Sequence, residues 1–110
     1  DNRLWRGNPL ELLGRLNGAA SEAEAIARAQ DLRFALDRVL ADATLAARVD
    51  ASRIAVVGHS YGANTALLTA GARVPGKPVL VDERLKAVVA ISAPPFHGLG
   101  DPGPILAPVT

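Results

Sequence analysis

The sequence predicts an α/β fold in the order helix, strand, helix, strand, and three observations predict it. Two short apolar runs, Arg53-Ile54-Ala55-Val56-Val57 and Ala87-Val88-Val89-Ala90-Ile91, do not alternate with polar residues and end in turn formers, as strands buried on both faces of a parallel sheet do. Segments of helical periodicity precede the first run and separate it from the second. A Gly-x-Ser-x-Gly sits at the junction of the first run with the helical segment that follows.

Residues 1–20 mix Gly, Asn and Pro with a short apolar stretch from Leu10 to Leu16, enough for a helical turn or two. Ser21 followed by Glu24 reads as a capping box, so the long helix is expected to start there and run from about Glu22 to Ala41. Its stripe is Leu32, Leu36, Val39 and Leu40, at i, i+4, i+7 and i+8, with Arg28, Asp31, Arg38 and Asp42 mostly elsewhere. Asp42 is placed to cap a short further turn, and Asp50-Ala51-Ser52 breaks the pattern ahead of the first strand. After the Gly-x-Ser-x-Gly, Ala63, Ala66, Leu67 and Ala70 repeat at helical spacing until Gly71 and Pro75 end the segment. Asp82, with Arg84 beside it, reads as a turn cap at the start of the second strand. The last segment, FHGLGDPGPILAPVT, is rich in Gly and Pro and is expected to be a loop at the C-terminal edge of the sheet, where open α/β folds place ligands.

Composition narrows the function classes. Hydrophobic residues make up 49% of the chain and charged ones 21%, which argues for a packed core. The formal net charge is +1, with twelve basic residues dispersed among eleven acidic ones, so a nucleic-acid partner is not expected. There is no cysteine, hence no disulfide and no thiolate metal site. No apolar run reaches the roughly 18 residues of a membrane span, and residues 1–20 lack the order of a signal peptide. A soluble chain is expected, with a cytoplasmic or an exported location both compatible; nothing in the sequence specifies an oligomeric state.

The chemistry is carried by Gly58-His59-Ser60-Tyr61-Gly62. A serine between a strand and a helix in this motif takes a strained backbone conformation, and Gly58 and Gly62 are expected to remove side chains that would collide across the turn. The N–H of Tyr61, at the start of the helix, points where an oxyanion would form. With ten Gly and four Ser in 110 residues, chance gives about 0.03 matches to this pattern, so the motif carries weight before its strand-to-helix context is considered.

RIAVVGHSYGANTALLTAG resembles the nucleophile strand, elbow and following helix of the α/β-hydrolase superfamily, and LKAVVAISAPP resembles its next strand. With RAQDLRFALDRVLAD ahead of it, the stretch is similar to predicted dienelactone hydrolases, a group related to platelet-activating-factor acetylhydrolase; the similarity is sharp over residues 28–95. The resemblance implies that residues 1–110 are part of a doubly wound, mostly parallel α/β-hydrolase sheet. It also implies a serine-dependent hydrolase acting on esters, lactones or related acyl compounds through an acyl-enzyme at Ser60, with no metal or organic cofactor. In that family the acid and the histidine follow the serine, and the early strands and oxyanion loop precede the long helix. Both sets are expected outside this chain, which by itself is then inactive. His59 is expected in a packing or supporting role and, with Phe96 and His97, is a candidate for the pocket wall, as is Ser92; Asp101 stands where some hydrolases carry their acid, but no histidine follows it. Two other readings stay open: a non-catalytic module that binds an acyl compound or a protein on the same scaffold, and an acyltransferase that uses the same serine.

Overall fold

The computed structural model describes residues 9–95 and 102–109, with side chains described at Leu10 and from residue 23 onward. It is a small α/β unit. The order is α1 (Pro9–Ala41), α2 (Ala43–Ala46), β1 (Ile54–His59), α3 (Tyr61–Ala70), β2 (Leu85–Ile91) and α4 (Gly103–Leu106). The helix, strand, helix, strand order read from the sequence is present.

The first helix begins earlier than expected. α1 is continuous over 33 residues from Pro9, so Ser21 lies inside it and does not cap its start. Pro9 has the fixed φ that suits a first helical residue. The Leu, Glu and Arg that follow are good helix formers, and Gly14 and Gly18, at roughly 1 kcal/mol each, are too few to break the run. A helix of this length spans about 50 Å, which accounts for the 55 Å long axis of the molecule. Ala29 is buried, and Leu32, Leu36, Val39 and Leu40 are half-buried along the expected face, while Phe34 points to solvent. Asp42 then caps α2, its carboxylate accepting from the N–H groups of Thr44 and Leu45, each at 2.9 Å. Asp50 closes the next turn by accepting from the backbone N–H and hydroxyl of Ser52 and from Arg53 Nε.

β1 and β2 pair in parallel, with Ala55 opposite Ala87, Val57 opposite Val89 and His59 opposite Ile91, after a bulge between Ile54 and Ala55. α3 packs against both strands on one side and against α1 on the other. Six of its ten residues are buried as a result, among them Asn64, Thr65, Leu68 and Thr69 as well as Ala63 and Ala66. Gly71 ends it at φ 125°, where a Cβ would also come within 3.0 Å of the Pro108 carbonyl.

The expectation that both sheet faces are buried does not hold for the described residues. Only the α3 face is covered, and on the other Val57 is 67% exposed, with Val89 and Ile91 at nearly half. The last segment also differs from its expectation, in the part that is described. Residues 102–109 are not a loop at the C-terminal edge of the strands: Ile105 is buried with Ala29, Leu68, Ala72, Val74 and Leu80 in the core. Its carbonyl accepts from Arg73 N–H at 2.9 Å. Because α3 runs back along the sheet, this end lies where the strands start, away from Ser60.

Candidate functional site

At its C-terminal end β1 passes into α3 with no intervening loop, since His59 is the last strand residue and Tyr61 the first helical one. Ser60 makes the whole turn, at φ 56° and ψ −125°. A non-glycine residue there is strained, and such strain persists only where the surroundings over-determine it. Two hydrogen bonds do so: Ser60 N–H donates to the Ile91 carbonyl at 2.9 Å, extending the ladder to β2, and the Ser60 carbonyl accepts from Ala63 N–H at 2.9 Å, opening the helix.

Gly58 has the role expected of it. A Cβ at this position would overlap the carbonyl of Gly62 and stand 2.7 Å from the Ala63 nitrogen, so strand and helix approach this closely only over a glycine. Gly62 does not. A Cβ there would meet nothing within 4 Å, so the steric reason expected for the second glycine is absent among the described residues. The turn brings the Gly62 carbonyl onto Gly58, but a side chain at Gly62 would extend into open space.

Ser60 is half-buried, and its side chain makes no capping hydrogen bond. Tyr61, as the first residue of α3, has an N–H with no intrahelical acceptor, at the positive end of the helix dipole. An anionic oxygen beside Ser60 would therefore meet at least one fixed donor. Tyr61 is 54% exposed and borders a small recess with Glu24, Ala25 and Arg28 of α1.

Of the described residues singled out from the sequence, the side chains of His59 and Asp82 do not join this site. His59 is exposed, on the open sheet face opposite Ile91, and strand alternation turns it away from α3, so among the described residues it is not packed into the core. Phe96, His97 and Asp101 lie outside the described residues. Asp82 is at the other end of the sheet, as its reading as a turn cap requires. Its carboxylate accepts from Arg84 N–H at 3.1 Å and from Arg84 Nη2 at 2.6 Å, and the Arg84 guanidinium holds it below the usual carboxylate range. Arg84 also reaches Asp37 of α1 at 2.6 Å, a contact across 47 positions for which local pattern has no signal. Near this end lies a groove of about 240 Å³ lined by Leu32, Leu36, Val39, Ile54, Val56 and Leu85.

Two further features at the site are a backbone conformation at Ser92, a residue already expected near the pocket wall, and a buried polar group at Asn64, which the sequence did not single out. Ser92, just after β2, is the second of two non-glycine residues with positive φ among those described, at 51°. Asn64, one turn into α3, buries its Oδ1 with no partner among the described residues. Among those residues no group of three or more His, Asp or Glu could hold a metal ion, and no helix is long and apolar enough to cross a membrane.

Comparisons with protein-family models, curated proteins and solved structures returned no match.

Proposed function

We propose that Ser60 is the nucleophile of a serine-dependent hydrolase of the α/β-hydrolase type, acting on esters, lactones or related acyl compounds. The observation that carries this is the backbone of Ser60: a strained serine making a one-residue passage from a parallel strand into a helix, over a glycine that the helix backbone touches. Such a passage lifts the serine hydroxyl to the carboxyl end of the sheet, where open α/β folds carry their sites.

On this reading the Ser60 hydroxyl loses its proton to a base and its oxygen attacks the acyl carbon. The oxyanion of the tetrahedral intermediate rests on Tyr61 N–H, and the leaving alcohol departs with the proton returned by the base. Water then hydrolyses the acyl-enzyme by the same route. His59, on the open sheet face, is not the base; the reading calls for a histidine and an orienting carboxylate from outside the described residues. The position of residues 102–109 supports the larger fold, since the chain there has come back to the end where another parallel strand would begin.

A second reading, a binding module that retains the turn as scaffold, is favoured by one observation: no described titratable side chain hydrogen-bonds to Ser60. An acyltransferase would use the same serine with an acceptor other than water, and product analysis separates it from the hydrolase. The deciding experiment is stoichiometric labelling of the full-length protein with a fluorophosphonate. Labelling that Ser60→Ala abolishes is the expected result, and labelling that survives the substitution refutes the assignment.

A further inference from the structure

Ser92, just past the end of β2, shares with Ser60, just past the end of β1, a positive φ. The two are the non-glycine residues with positive φ among those described, at 51° and 56°. They are neighbours: His59 pairs with Ile91, and the Ile91 carbonyl, bonded directly to the Ser92 nitrogen, accepts the Ser60 N–H at 2.9 Å. Adjacent parallel strands lie about 4.8 Å apart, so the two serines stand side by side at the same edge of the sheet. Asn or Asp can offset the strain of this backbone region with a local side-chain hydrogen bond, and glycine has no strain to offset. Ser92 is exposed, and its hydroxyl makes no hydrogen bond to a described residue. An exposed hydroxyl on a residue with a strained backbone, next to a reactive group, is placed to meet what that group binds.

We infer that the Ser92 hydroxyl is a substrate contact beside Ser60, donating a hydrogen bond to an oxygen carried by the acyl group next to the scissile carbonyl. The site then favours alkoxy- or hydroxy-substituted acyl groups over plain alkyl chains of the same size. This rests on Ser60 as nucleophile. An acyl carbon bonded to Ser60 Oγ puts a substituent one or two atoms further on within reach of a hydroxyl on the adjacent strand. A site built to hydrogen-bond an oxygen discriminates against the analogue lacking it, because its own polar group is then left unpaired.

The test compares kcat/KM of the full-length protein for p-nitrophenyl methoxyacetate and its isostere p-nitrophenyl butyrate. Wild type, Ser92→Ala and Ser92→Gly are assayed, so that intrinsic ester reactivity cancels between variants, and thermal midpoints are recorded alongside. The expected result is that both substitutions lower the methoxyacetate rate roughly three- to tenfold more than the butyrate rate, the size of one hydrogen bond. Ser92→Gly, which relieves the backbone, should raise the midpoint while losing the preference equally. An unchanged substrate ratio in both variants, or rates that fall in parallel with the midpoint, overturns the inference while Ser60 stands. Absence of any Ser60-dependent hydrolysis of either ester overturns both.

Discussion

Gly58 and Gly62 flank the same serine symmetrically in the motif, yet only one of them is held by its neighbours. Gly58→Ala drives a methyl group into the Gly62 carbonyl, and backbone cannot step aside as a side-chain tip can. It should cost about 3 kcal/mol or more, the upper end of overpacking, in urea-induced unfolding. Gly62→Ala meets open space and gains helix propensity, so it should be neutral or stabilising by up to about 1 kcal/mol. A large loss at both positions would mean that the turn is not as described. The Asp82–Arg84 pair carries a pH signature. Its carboxyl is depressed first by the guanidinium hydrogen bond, so its contribution to stability is complete above the unfolded carboxylate pKa of about 3.9 and is lost as pH falls through the lower folded value. Asp82→Asn should therefore flatten the loss of stability below about pH 4, and an acid branch identical to that of the wild type would contradict the assignment.

At the scale of elements, the strands, α3 and the short α2 were legible because their signals are local. β-branched runs, Asp42 as a cap and Gly71 as a stop each act within a few residues. The start of α1 was misread because a Ser-x-x-Glu marks a helix start only where the chain is not already helical, and Pro9 had begun the helix upstream. The burial of six of the ten residues of α3 was not legible either, since it depends on α1 packing on its outer face. At the site, Ser60 and Gly58 could be read from the motif and Ser92 from its place just after β2, whereas the positive φ of Ser92 is a property of how β2 ends and has no residue signature. The Pro- and Gly-rich composition of 102–109 suggested a loop, but Pro102 and Pro104 open a turn that seats Ile105 in the core at 2% exposure. Ile105→Ala should cost about 2–4 kcal/mol of unfolding free energy and leave the rate of fluorophosphonate labelling unchanged. A change in that rate would place α4 near Ser60, which the fold denies.

For the whole molecule, the sheet is covered on one face alone among the described residues. Val57 and Val89 pair side by side on the open face, with Ile91 beyond them, an apolar surface of the kind that draws in other chains. A chain of residues 1–110 on its own should bind a hydrophobic dye and self-associate with rising concentration, and Val57→Thr with Val89→Lys should reduce both. A sharp, concentration-independent melt of the unsubstituted monomer would count against this. The same architecture stakes its functional meaning on one oxygen at the junction of β1 and α3. Trypsin cutting after Arg53 and Arg73 releases residues 54–73, in which Ser60 is the single serine. After reaction of the full-length protein with a fluorophosphonate, fragmentation mass spectrometry of that peptide should place the adduct on Ser60; an adduct on Tyr61, Thr65 or Thr69, or on another peptide, or no adduct at all, would contradict the account.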